Sequence, residues 1–384
     1  MNAYIVTHTA NKVLQFNNTK CKTMKIGKKY ESIIDQELEV DNWKAVHDRK
    51  GNFSEEYIGK IVIKEAKEYK YLGFVIASNA SNVPNILDKK GKLAGIHKNI
   101  MNITKGLGSY TFECTLIYLK SMIRGTTLNA CETCYNMNEK EYRLIESYEE
   151  RLLIEAIQTG SKCPRAILYL ELGLCPARFI IKKYKLNFLH YILNQDDESL
   201  LKQFFKAQMD FPVKGDWVSE MKELISDLDI AKSFEEVKNM RKNHYESLVN
   251  KKVKAEAFKY LLNKVKTKGS LINYGNSLEM QNYLKPNAVL TFQEQVNIFS
   301  YRSEMNEISM KYIHGYEWCI CKEEMNNAHI FQCKLLNNDD NPGLKYNQIL
   351  NGTLHQQKKI LNIMEKNIKI FKERLPRQPE PTVT

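Results

Sequence analysis

Cys319, Cys321, His329 and Cys333 fall close together, in the pattern Cys-x-Cys-x7-His-x3-Cys. Three soft thiolates and one imidazole suit a tetrahedral Zn²⁺ ion. His329 and Cys333 are four apart, a spacing that brings both side chains to one face of a helix. The first cysteine pair would come from a knuckle-like turn, although one intervening residue is tighter than the usual spacing. Four protein ligands close the coordination shell, so the predicted role is structural rather than catalytic. His314 stands near enough in sequence to substitute as a ligand. Cys131-x2-Cys134 also has metal-like spacing, but no second pair lies nearby, and core packing is the expectation there.

Carboxylates tell a different story. Two-metal nucleotidyl transfer needs clustered acids to hold Mg²⁺. Asp196-Asp197 and Asp339-Asp340 are the only adjacent Asp pairs, one at a helix end and one inside Asn-Asn-Asp-Asp-Asn-Pro. Neither sits between apolar strand residues, so both are expected to be solvated. The chain has no Gly-x-x-x-x-Gly-Lys loop, no Gly-x-Ser-x-Gly elbow and no His-Glu-x-x-His.

The elements that would carry these residues are mainly helical. Short alternating segments at Val13–Phe16, Thr23–Ile26, Lys60–Lys64 and Tyr69–Ile76 predict strands, with Gly73 marking a bulge or close backbone approach. From about Leu87 the period becomes helical: Leu93, Ile96, Ile100 and Ile103 share one face, and Leu116, Leu119 and Ile123 another. Tyr142, Ile145, Glu149, Leu152 and Ala156 define a third helix, Pro164 starts a fourth, and Phe179–Leu193 forms a long fifth. Further helices are predicted over 198–210, 217–229, 234–268 and around Ile360–Ile370, with a domain boundary near 211–216. Pro376 to the end reads as a disordered tail.

Composition narrows the class. The chain has 384 residues, 57 Lys and Arg against 45 Asp and Glu, and a net charge of +12. With 43% hydrophobic residues, wholesale disorder is excluded, and 17 Gly with 9 Pro argue against a turn-dense sandwich. Ten Lys and Arg between Lys238 and Lys268 face two Glu, a net +8. Leu248, Val253, Ala257, Tyr260, Leu261 and Val265 give that stretch an apolar stripe. Two readings stay open: a solvated basic helix face, or a helix laid along a nucleic-acid backbone through lysines such as Lys251, Lys252, Lys254 and Lys259. No apolar run spans a bilayer and no signal peptide opens the chain, so no membrane partner is expected. Nine scattered cysteines point to a reducing, intracellular compartment, nucleus or cytoplasm.

Four stretches in order resemble LINE-type (non-LTR) retrotransposon reverse transcriptases. Val13-Leu-Gln-Phe-Asn-Asn-Thr-Lys20-Cys-Lys22 resembles the strand after the catalytic hairpin, motif D. Tyr69-Lys-Tyr71-Leu72-Gly73-Phe74 resembles motif E, the primer grip. Tyr142–Leu193, with Cys163-Pro164-Arg-Ala-Ile-Leu-Tyr169 and Glu171-Leu-Gly173-Leu-Cys-Pro176-Ala-Arg178, is similar to the helical region behind the thumb. Phe299-Ser-Tyr-Arg302-Ser-Glu-Met305 and the Cys/His cluster are similar to the C-terminal end of such polyproteins. The resemblance implies a mainly α chain: a small β remnant of a palm at 1–78, helical thumb and connection at 79–210, a basic helical region at 211–310, a CCHC zinc-knuckle-like element at 311–340, and a helix with tail at 341–384. It implies Lys20 as the motif D lysine, Tyr71, Leu72 and Gly73 as the primer grip, and RNA, RNA/DNA hybrid or target DNA as partner. The Phe/Tyr-x-Asp-Asp hairpin is missing, so the chain is expected not to polymerise alone, and Mg²⁺ would enter only if a catalytic palm were supplied. The alternative is a co-opted helical interaction or scaffold module, with a protein partner covering the exposed palm edge.

Overall fold

Leu38–His47 (β1) and Phe53–Ile63 (β2) pair antiparallel, with a register shift between Asn42 and Trp43. The extra residue is Ile58 of β2, since Asn42 pairs with Gly59 and Trp43 with Tyr57. In β1 the apolar residues change phase, Leu38 and Val40 in one alternation, Trp43 and Ala45 in the other, so the strand escapes a period-two reading. Gly59, opposite Asn42, takes φ +106°, a conformation that favours glycine. These features belong to a computed structural model that describes residues 38–47, 53–63, 66–71, 74–79, 81–106, 112–159, 161–213, 215–266, 274–286, 289–310, 317–336 and 344–374.

Tyr69–Ile76, expected as one strand, is instead split. Glu68–Tyr71 (β3) and Phe74–Ala77 (β4) form a second two-stranded antiparallel sheet in which Tyr71 faces Phe74. Leu72 and Gly73 lie outside the described residues, as do Lys20 and the strands predicted at 13–16 and 23–26. Val83–Gly106 (α1) follows. Its buried Asn85 accepts the Val75 N–H through Oδ1 at 3.2 Å, tying the helix start to β4.

The chain divides into two compact units, Met1–Gly91 and Lys92–Thr384. The second is helical: Phe112–Tyr118 (α2), a π-helical turn Leu119–Ile123, Arg124–Thr127 (α3), Glu139–Ala156 (α4), Arg165–Glu171 (α5) and Ala177–Leu193 (α6). Leu200–Asp210 (α7), Trp217–Asp227 (α8), Phe234–Asn239 (α9) and Lys242–Lys266 (α10) come next. Phe292–Arg302 (α11), Asn327–Gln332 (α12), Gln348–Asn351 (α13) and Leu354–Arg374 (α14) complete it. The domain boundary expected near 211–216 is instead a helix connection inside this unit. Asp216 there caps α8, its Oδ1 accepting the Ser219 N–H at 2.7 Å.

Local signals set the ends of these helices. Asn138 and Glu141 form a capping box on α4, and Thr291 and Glu294 form one on α11. Pro164 and Pro176 stand at the N-caps of α5 and α6. Between those helices Gly173 has φ +62°, and a Cβ there would stand 2.2 Å from the Met280 nitrogen. Only glycine admits this approach, which seats residue 280 against Leu172.

The core runs around α6, which packs on α10, α8 and α4. Three buried arginines cross-link its layers. Arg124 bonds Glu149 twice, at 2.9 Å each, and the Cys175 carbonyl at 2.6 Å. Arg178 bonds Glu146 at 2.7 and 2.8 Å and Glu139 at 2.8 and 3.0 Å. Arg302 bonds Glu171 at 2.9 and 3.0 Å, and the Tyr283 hydroxyl donates to the same carboxylate at 2.8 Å. Burial works against each guanidinium's charge, and the facing carboxylates outweigh it.

Candidate metal centre and basic helix

The Cys-x-Cys spacing works because of a tight hairpin. Lys322 N–H donates to Cys319 O at 2.8 Å, and Cys319 N–H donates to Glu323 O at 2.9 Å. That pair of bonds, with Lys322 at φ +72°, is a three-residue loop closed by a left-handed residue. Trp318 bridges Glu324 behind it, and the Met325 N–H reaches Glu317 O at 2.9 Å. A backbone bond from Cys321 also reaches the Cys319 sulfur. The turn therefore turns both thiols to one side without a second spacer residue.

Asn326 then starts α12. Its Oδ1 accepts the His329 N–H at 2.8 Å, and Cys333, at the helix end, donates its N–H to His329 O at 2.7 Å. The predicted four-residue spacing is thus realised on one short helix. Buried Met325, Ile330, Phe331 and Leu336 anchor the element, and α12 packs on α14, where buried Asn367 donates to Ile330 O at 2.8 Å.

The four donors meet. Cys319 and Cys333 sulfurs stand 3.7 Å apart, and Cys321 Sγ lies 3.2 Å from His329 Nε2. All four ligand atoms lie within 4.8 Å of one another. With metal–sulfur bonds of about 2.3 Å, a tetrahedron needs sulfur–sulfur edges of about 3.8 Å. The donor set and spacing fit one metal ion of zinc's kind. Glu323 Oε2 sits 2.9 Å from His329 Nδ1. That carboxylate accepts a hydrogen bond from Nδ1–H and leaves Nε2 to face the cluster, the arrangement that orients metal-bound histidines. Glu323 is the residue that sequence spacing alone misses; a carboxylate two residues after Cys321 was its only signal. Burial pushes the Cys319 thiol up to about 12, so a thiolate there calls for a cation beside it.

The other predicted residues divide. α10 buries Tyr245, Val249, Val253, Ala257, Phe258, Leu261 and Val265, a wider apolar face than the predicted stripe; Leu248 and Tyr260 are half-buried. The single helix expected over 234–268 breaks at Met240, whose ψ of 136° is extended, and Lys268 lies outside the described residues. Lys251, Lys254 and Lys259 point to solvent and form no ion pair among the described residues. Lys252 differs: it is half-buried and bonds Asp229 at 2.8 Å. Tyr71 lies in β3 of the first unit; Leu72, Gly73, Lys20 and His314 are outside the described residues.

Cys131 and Cys134 are buried, with Cys131 Sγ 3.5 Å from the Thr127 carbonyl, as core thiols would be. Asp197 is exposed and pairs with Lys206 at 2.9 Å, while Asp339 and Asp340 lie outside the described residues. Among the described residues, the Cys/His cluster is the one group of three or more such side chains placed to share a metal. Among the described residues, no helix is long and apolar enough to cross a membrane. Comparison with protein-family models, with curated proteins and with solved structures finds no match for the chain.

Proposed function

We propose that this chain binds nucleic acid without performing catalysis, as the C-terminal region of a LINE-type reverse transcriptase lacking its catalytic aspartates. The observation that carries the reading is α10. Its apolar side is locked into the core while Lys251, Lys254 and Lys259 stand exposed, with no ion pair among the described residues. Lysines carried on a fixed backbone can meet phosphates without reading bases. RNA/DNA hybrid, RNA and target DNA all offer that backbone. The Cys319, Cys321, His329 and Cys333 cluster is read as a structural zinc site, since four protein ligands leave no open position. In the same reading β3, β4 and α1 correspond to the primer grip and the first thumb helix. No Mg²⁺ chemistry is assigned.

Titration with a labelled RNA/DNA hybrid at two salt concentrations tests the reading. Binding should weaken steeply with salt, and changing Lys251, Lys254 and Lys259 together to Ala should flatten the logarithmic salt slope by about two to three. No binding, or binding without a salt slope, would remove the reading.

A second reading, a protein-interaction module, is favoured by one observation. Leu200, Phe204, Phe211 and Val213 lie exposed on and just after α7, Phe211 at 79%. If that surface meets a partner, a pull-down should lose it on Phe204→Ser and Phe211→Ser while hybrid binding stays unchanged.

A further inference from the structure

Where α6 ends and α10 begins, the surface is recessed by about 620 Å³, within the size range of small-ligand sites. His190 and Tyr245 build its floor. His190 Nε2 meets the Met240 carbonyl at 3.0 Å, so this nitrogen carries the proton, and the imidazole lies over the Tyr245 ring at 4.7 Å. Tyr245 is itself fixed by donating its hydroxyl to Leu186 O at 2.9 Å. The floor is therefore rigid and has no spare donor of its own.

The walls are different. Tyr191 is 54% exposed. Its ring lies nearly parallel to Phe188, at 14° and 6.2 Å, and Phe188 is braced edge-on by Trp217 at 5.8 Å. An aromatic plate backed in this way is held flat at the surface. Beside it, Asn187 Oδ1 is shut off from solvent and has no hydrogen-bond partner. Asn194 and Gln195 also line the recess, both spending their amide N–H groups on α6 carbonyls, at 2.9 and 3.4 Å. Arg241 and Lys242 line the opposite side, where Lys242 reaches Glu246 only at 4.0 Å.

We propose that this recess receives an unpaired nucleobase of a single-stranded nucleic acid. Tyr191 stacks on the base, the Asn194 amide oxygen accepts from its exocyclic amine or ring N–H, and Arg241 and Lys242 meet the flanking phosphates. The chemistry selects this occupant. A flat π-surface beside acceptor amides suits a base plane and its edge, and the two cations at the rim suit its backbone. An apolar peptide helix would leave both cations unmatched. The inference rests on the nucleic-acid reading above, and adds that the protein distinguishes single strands from duplexes.

The test uses the full chain and two fluorescent probes, a single-stranded RNA and a blunt two-strand RNA duplex, followed by anisotropy. Tyr191→Ala should weaken single-strand binding about tenfold, the size of one lost base–aromatic stack, and leave duplex binding unchanged. Tyr191→Phe should bind as the unaltered protein does. Asn194→Leu should weaken cytidine- and guanosine-containing strands while circular dichroism confirms an intact fold. If Tyr191→Ala binds the single strand normally, or weakens both probes alike, the recess proposal is overturned while the nucleic-acid reading stands. If the unaltered protein binds neither probe but binds the RNA/DNA hybrid, the recess proposal alone is overturned; if it binds none of the three, both fall together.

Discussion

Two buried polar regions of the helical unit solve one problem in opposite ways. Around α4, α5 and α6, the arginines Arg124, Arg178 and Arg302 meet carboxylates supplied by the chain itself. In the Cys/His element, four donors converge and the chain supplies no cation among them. The first region is electrically complete as folded. The second could be completed by a bound cation, and its stability would then follow metal supply, whereas the first carries its own counter-charges. A buried charge needs an opposite charge, and it matters little to the fold whether that is covalently attached.

The largest effect should come from breaking the self-sufficient region. Arg302→Met leaves the Glu171 carboxylate buried with the Tyr283 hydroxyl as its remaining close donor. A loss of about 3–5 kcal/mol in denaturant unfolding is expected, with much of it recovered in Arg302→Met/Glu171→Leu. Equal stability of the single and double variants would show that the pair is not what holds α11 to α5.

Metal removal comes next. Dialysis against a chelator should lower the melting temperature of the protein, and zinc should restore it, with Cys319→Ser insensitive to both. Acidification should mimic the chelator, because protons compete for thiolate and imidazole ligands. Unchanged metal content in Cys319→Ser would end the comparison, since the cluster would then be four ordinary side chains.

Glu150 lies between the two cases. Arg143 and Arg165 approach it only to 3.5 and 3.3 Å, and burial pushes its carboxyl up to about 6. A carboxyl with a raised native value holds its proton more tightly when folded. Its contribution is therefore present below about 4.5 and is lost as pH rises through 6. Glu150→Gln should accordingly stabilise the protein by about 1 kcal/mol at neutral pH, and the gain should vanish near pH 4. The smallest effect is at Lys322, a lysine in left-handed backbone. Lys322→Gly should raise stability by about 0.5 kcal/mol without altering metal content.

Legibility followed sequence distance. The metal ligands were readable because a knuckle and a helix turn gather them within one short stretch, each residue set by its neighbours. Helices such as α4, α6 and α14 were readable because their buried residues recur at helical spacing. β1 was not, because its apolar residues change phase between Val40 and Trp43. The break at Met240 was not, since α9 and α10 share one continuous helical composition and only the fold around His190 separates them. The arginine pairs were invisible for a plainer reason: Glu171 and Arg302 stand 131 positions apart, and nothing local marks them as partners.

That separation has a consequence for how the protein is made. At the usual pace of synthesis, Arg302 follows Glu171 from the ribosome by about 7–26 s. The Met280 backbone that fits over Gly173 arrives only shortly before it. During that interval α5 and α6 can form, but their joint surface keeps a carboxylate meant for burial and a glycine notch waiting for its cover. The nascent chain should thus remain open to proteases and chaperones near residue 171 until α11 emerges, however early its individual helices coil.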